Sequence, residues 1–211
     1  MTGSGYRPRW PGADLPGRRL FVAVPLPPDS TAAIARLVEG VRAAGVPGGG
    51  RDVRWVRLDG LHMTMRFLGP TLEERVASAI DAVQVAAAAS AAFDVAIGGA
   101  GTFPPTGRPR ALWLGVKEGE TELAELAAAV DRALMTNGWE LDLKPFRAHL
   151  TLARSDGVPA GSAIGAHLRE AAADLRVGFR ADRIGLFESL TGGGPARYEP
   201  LLVADLARRV T

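Results

Sequence analysis

Two tetrapeptides constrain this chain more than its size does. His62-Met63-Thr64-Met65 returns as His149-Leu150-Thr151-Leu152 after 87 residues, and the pair uses two of the three histidines in a chain of 211 residues. Gly101-Thr102-Phe103 and Gly185-Leu186-Phe187 match at a spacing of 84, and Arg110-Ala111-Leu112-Trp113-Leu114 is faintly echoed by Arg197 to Leu201 at 87. Such self-similarity marks a duplicated unit, here of about 90 residues. Two related units pack face to face around a pseudo-two-fold axis, which sets matching elements opposite one another. The two His-x-Thr strands are therefore expected to meet.

Alternate residues of a strand share a face. His62 and Thr64 point one way while Met63 and Met65 point into the core, and the same holds for His149 and Thr151 against Leu150 and Leu152. Each strand then offers one imidazole and one hydroxyl to the space between the halves. Imidazole, with an ordinary pKa of about 6.5, gives or takes a proton near neutrality, and a pair does both within one reaction. That set suits in-line attack on a phosphate ester: one histidine activates water, the other protonates the departing oxygen, and two hydroxyls hold the non-bridging oxygens. Arg66 shares the parity of His62 and Thr64 and is a candidate for neutralising the phosphate. Arg154 is another, although counting from His149 places it on the opposite face unless the strand ends, bulges or the long side chain curls round.

One His-x-Thr alone reads best as a half-buried histidine satisfied by a neighbour; its duplication points to a joint site. A metal centre is the chemical rival, since histidine is the commonest metal ligand. There is no cysteine and no His-x-x-x-His, however, and Asp59 is the sole carboxylate within four residues of His62 or His149. The absence of cysteine also excludes disulfides, thiol catalysis and thiolate sites. Arginine supplies 23 of 25 cations, only Lys117 and Lys144 being lysine. Arginine grips phosphate with a two-pronged fork, but the codons of a GC-rich genome produce the same bias, so the excess names no ligand. His167 is expected at the surface or at its boundary with the core.

An apolar fraction of 47% with 23% charged residues fits a globular chain with a sizeable core and no membrane span. Residues 1–18 hold no apolar stretch of the secretory kind, so a cytoplasmic protein is expected. The division is a loose extension over 1–18, one domain over 19–204 and a tail over 205–211.

Strands are expected at Leu20–Val24, Phe93–Gly98, Ala111–Val116, Ala148–Ala153, Arg176–Phe179, Arg183–Leu190 and Tyr198–Ala204. Val53–Arg57 and Leu61–Leu68 read as a hairpin joined by Asp59-Gly60. Helices are expected after Asp29 or Ser30, from a Thr71/Glu74 capping box to about Ala89, from Thr121 to Asn137 with Gly138 as the stop, and near Ser162–Ala173. Gly48–Gly50 reads as a flexible break and Gly192–Gly194 as a hairpin tip. Strands adjacent in sequence beside strands separated by helices give an α+β protein with much antiparallel pairing. Trp55, Phe103 and Trp113 are candidates for stacking a base, with core packing the plainer reading.

The paired tetrapeptides, with Arg19-Leu20-Phe21-Val22-Ala23-Val24, Trp55-Val56, Arg66-Phe67-Leu68-Gly69, Leu112-Trp113-Leu114-Gly115 and Pro145-Phe146-Arg147-Ala148-His149 through Arg154, resemble the two-histidine phosphoesterases. Within that group the chain is most similar to the bacterial and archaeal RNA 2',3'-cyclic phosphodiesterases, first called 2'-5' RNA ligases, over Arg19 to about Val203. The resemblance implies a bilobal fold, two mainly antiparallel sheets lining a central cleft with helices outside. It also implies hydrolysis of a ribose 2',3'-cyclic phosphate, on RNA ends or small nucleotides, to a 2'-phosphate, with no metal or other cofactor and with weak 2'-5' ligation as a side activity. His62 would be the proton donor and His149 the base, Thr64 and Thr151 would bind phosphate oxygens, and Arg154 would add charge. Ala148 stands where many relatives have proline. The alternative is a non-catalytic module that binds RNA ends through the same cleft. No membrane partner is expected, and a monomer is the default.

Overall fold

The computed structural model describes residues 16–45, 53–140, 144–157, 159–191 and 195–208. The readings of Gly48–Gly50 as a break and Gly192–Gly194 as a tip fall outside these, as does most of the expected loose start. Arg18, placed in that extension on sequence grounds, already pairs with Thr71.

In chain order the elements are β1 (Arg18–Pro25), α1 (Pro28–Ala43), β2 (Arg54–Trp55), β3 (His62–Thr71), α2 (Glu73–Ala88), β4 (Phe93–Phe103), β5 (Ala111–Glu118), α3 (Glu120–Thr136), β6 (Leu150–Arg154), α4 (Pro159–Ala171), β7 (Val177–Ala181), β8 (Arg183–Leu190) and β9 (Arg197–Asp205). They form two sheets, ordered β3-β1-β8-β9 and β2-β6-β5-β4-β7, with every neighbouring pair antiparallel. Helices α2 and α3 lie against each other behind the first sheet, α1 and α4 behind the second, and β3 touches β6 between the lobes. Among the described residues no helix is long and apolar enough to cross a membrane.

The apolar periods explain this layering. Ile34, Val38 and Val41 of α1, Val76, Ala79 and Val83 of α2, and Leu123, Leu126, Val130 and Leu134 of α3 recur at three- and four-residue intervals and are buried, so each helix presents one stripe to a sheet. β1 is central, and Leu20, Phe21, Val22, Ala23 and Val24 are all buried, because helices cover one face and the cleft walls the other.

The repeat is real and its halves exchange strands. The strand after α2, β4, joins the second sheet beside β5, while β8, which comes after α4 and β7, joins the first beside β1. The rung Thr64–Ala23–Gly185 thereby matches the rung Thr151–Trp113–Gly101, which accounts for the Gly-x-Phe pair. Both glycines are required by close approach: a Cβ on Gly101 would sit 2.2 Å from the Trp113 ring, and one on Gly185 would sit 2.7 Å from the Phe187 ring. The fainter echo between Arg110–Leu114 and Arg197–Leu201 has no such basis, since β5 lies inside its sheet and β9 is an outer edge.

Three local expectations are corrected. Asp59-Gly60 does not close a hairpin: Leu58–Gly60 is a single 3₁₀ turn, and β2 crosses to the other lobe, where Trp55 pairs with Ala153. Thr71 does not cap α2, because it ends β3 and its hydroxyl donates to the Gly69 carbonyl at 3.2 Å. Asp29 and Ser30 lie inside the first turn of α1 behind Pro28, where proline suits a helix start, and the buried Ser30 hydroxyl donates to Gly178 of β7. Gly138 does terminate α3, at φ 74°.

Candidate active site

Both His-x-Thr segments carry the same irregularity. Val22 pairs with Arg66 and Ala23 with Thr64, leaving Met65 without a partner; Leu112 pairs with Ala153 and Trp113 with Thr151, leaving Leu152 without one. Each is a bulge, and each reverses the parity of the residues beyond it. Past the bulge in β6, Arg154 returns to the face of His149 and Thr151. Past the bulge in β3, Arg66 turns away from the cleft and Phe67 takes the place that Arg154 has in the other half.

His62, Thr64, His149, Thr151 and Arg154 consequently line one pocket, together with Tyr198 and the Val56, Gly60 and Leu61 segment that crosses between lobes. The imidazoles are held alike. His62 Nδ1 lies 2.7 Å from the Gly60 carbonyl and His149 Nδ1 lies 2.7 Å from the Arg147 carbonyl. A carbonyl only accepts, so Nδ1 carries the hydrogen in each ring and Nε2 is the atom that exchanges a proton.

Aromatic rings brace both histidines. Phe21 packs against His62 at 4.7 Å between centroids and Tyr198 meets it edge-on at 4.8 Å. Phe103 meets His149 edge-on at 5.1 Å and itself leans on Trp113. Phe103 and Trp113 are thus walls behind an imidazole, and Trp55 packs against the core. Tyr198 escaped the sequence reading because β9 carries no echo of the tetrapeptides; a Cβ on Gly60 would come within 2.9 Å of its ring.

Burial is the main influence on both imidazoles, and it pushes each below its ordinary pKa. At His62 the Gly60 carbonyl opposes this and the charge of His149 adds to it. At His149 the Arg147 carbonyl opposes it and the Arg154 guanidinium adds to it. Burial also raises the Tyr198 phenol, against a smaller lowering by Arg154, which places Arg154 within electrostatic reach of both rings.

Arg66 is the expected site residue that the structure sets elsewhere. Its Nη1 donates to Asp131 of α3 at 3.0 Å and its Nη2 donates to the Glu140 carbonyl at 2.7 Å. The side chain is only 11% exposed, so it ties β3 to the helix layer and does not face the pocket. Arg66→Ala is expected to lower stability by about 2 kcal/mol, through lost charge-assisted hydrogen bonds, with little change in KM for a cyclic phosphate. Urea unfolding beside steady-state kinetics checks both. His167 is exposed on α4, as expected.

The chain is similar to known proteins in sequence and in fold. The sequence profile of the 2'-5' RNA ligase superfamily matches residues 26–193. An RNA 2',3'-cyclic phosphodiesterase of Geobacillus stearothermophilus is 38% identical over 134 residues, 64% of this chain but 41% of that longer protein. So named too is an Aeropyrum pernix protein, 34% identical over 69% of this chain and 78% of its own length. Among solved structures, a Thermus thermophilus protein superimposes with a TM-score of 0.69 at 26% identity, covering 91% of this chain and 100% of its own. Escherichia coli LigT complexed with 3'-AMP gives 0.66 at 24% identity over 90% of this chain and 99% of its own, a likeness of fold. With the profile spanning both His-x-Thr strands, the chain belongs to the 2'-5' RNA ligase superfamily.

Proposed function

We infer that the chain is a phosphodiesterase that opens ribose 2',3'-cyclic phosphates, on RNA ends or small nucleotides, to 2'-phosphates. The observation that carries this reading is the pair of imidazoles in one pocket, each with Nδ1 committed to a carbonyl and Nε2 left for proton transfer. The names of the relatives support the substrate class.

In this reading the His149 Nε2 takes a proton from water as its oxygen bonds to phosphorus. The P–O3' bond breaks, and His62 Nε2 delivers its proton to O3', so one proton enters the protein as another leaves. Arg154 favours neutral His149, the form a base needs, which supports this division of roles. Thr64 and Thr151 donate hydroxyl hydrogen bonds to the non-bridging oxygens, and Arg154 offsets the charge that grows on them. A 5'-hydroxyl in place of water would give a 2'-5' linkage by the same step, and water's abundance keeps that activity weak. The protein acts as a cytoplasmic monomer on RNA ends or small cyclic nucleotides.

A module that merely binds RNA ends would need no free Nε2, and turnover separates the two readings. Incubation with 2',3'-cyclic AMP and with an oligonucleotide ending in a 2',3'-cyclic phosphate, both in EDTA, is expected to yield 2'-phosphomonoesters, read by phosphorus NMR. A cyclic end held without turnover, or hydrolysis abolished by EDTA, would overturn the proposal.

A further inference from the structure

The pseudo-two-fold cleft is unequal at one pair of positions: where β6 carries Arg154, β3 carries Phe67. Phe67 is 50% exposed, the one aromatic ring among the large apolar side chains left open in the described residues. Because of the bulge at Met65 it shares a face with Thr64, and it pairs across with Phe21, whose ring packs against His62. The guanidinium of Arg19, two residues before Phe21 on the same face of β1, lies 5.4 Å from the centre of the Phe67 ring. Arg19 makes no ion pair among the described residues.

We propose that Phe67 and Arg19 form a subsite for the nucleotide preceding the cyclic-phosphate end of a single-stranded RNA, Phe67 stacking its base and Arg19 meeting its phosphate. The inference rests on the phosphodiesterase reading above and deepens it by assigning contacts to the strand behind the cyclic end. Discounting the bulge, Phe67 stands two strand steps from Thr64, roughly 7 Å, about the length of one nucleotide. An open aromatic ring beside a cation that has no carboxylate partner among the described residues is the combination that grips single strands, the ring accepting any base and the cation tracking the backbone. Phe67 pairs in register with Phe21, the residue that backs His62, so a strand that leaves the histidines along β3 would meet its ring.

The test compares kcat/KM for 2',3'-cyclic AMP with that for a hexanucleotide ending in a cyclic phosphate. The wild type should prefer the hexanucleotide, and Phe67→Ala should cut that preference about tenfold, mostly through KM, while Phe67→Trp restores it. Arg19→Gln should reduce the preference and flatten its salt dependence. A hexanucleotide abasic at the preceding position should lose the preference in the wild type and lose no more in Phe67→Ala. A preference unmoved by Phe67→Ala, with cyclic AMP turnover present, overturns the subsite and leaves the phosphodiesterase reading standing. No turnover of cyclic AMP by the wild type overturns that reading and the subsite with it. Sedimentation showing a dimer that Phe67→Ala dissolves would assign the ring to a second copy and overturn the proposal.

Discussion

His149→Ala and His62→Ala are each expected to lower kcat on a 2',3'-cyclic nucleotide by about 10²- to 10⁴-fold, the usual worth of a positioned proton-transfer group. Both rings are half-buried and each makes one backbone hydrogen bond, so the loss of stability should be about 1 kcal/mol and circular dichroism should show an unchanged fold. Asparagine sharpens the test. Its amide reaches the position of Nδ1 and keeps the bond to Gly60 or Arg147, yet supplies nothing at Nε2. If proton transfer is what the ring provides, asparagine variants should be as inactive as alanine ones; if the ring only braces the pocket, they should recover. The double variant should be little worse than the poorer single one, because groups acting in one step do not add. A loss under about tenfold in either single variant would contradict the assignment.

The side-chain types of this site were legible in the sequence, and its two bulges were not. His62, Thr64, His149 and Thr151 stood out because a duplicated strand puts like residues on like faces, and the topology obeys that rule through strand exchange. Parity then misled: it favoured Arg66 over Arg154, and one unpaired residue, Met65 or Leu152, inverted the order in each strand. Nothing in Met-Thr-Met-Arg or Leu-Thr-Leu-Ala announces a bulge, because bulges depend on the partner strand, here β1 or β5, and not on the bulged residues alone. Asp59-Gly60 misled for a related reason. The dipeptide does turn the chain, but the residues before it serve the other lobe, Val56 donating to the Leu152 carbonyl at 2.9 Å, the very residue the bulge leaves unpaired. Tyr198 reaches His62 from an outer edge strand, a proximity set by sheet order.

The kcat/KM profile should be bell-shaped with its optimum on the acid side of pH 6.5, the ordinary histidine value. The productive free enzyme has a neutral base and a charged donor, and it is abundant only between the two titrations. Burial lowers both imidazoles, so the donor loses its proton at a lower pH than a free histidine would and the alkaline limb moves down with it. Bound substrate brings an anion beside the donor and favours its charged form; the alkaline limb of kcat should therefore lie above that of kcat/KM. Arg154→Ala removes the cation that depresses His149, so the acid limb should move to higher pH. The limbs are properties of the interacting pair. In residual activity, loss of the acid limb is expected in His149→Ala, and loss of the alkaline limb in His62→Ala. Stability carries the same sign: below pH 6.5 the unfolded chain binds protons that the folded histidines refuse, so stability is full above that value and falls as pH drops through the lowered folded values. Urea unfolding across that window measures it directly, and the slope should shrink when either histidine is replaced. A rate that climbs steadily with pH and depends on added divalent metal would instead indicate metal-bound hydroxide, and two-histidine proton transfer would have to be given up.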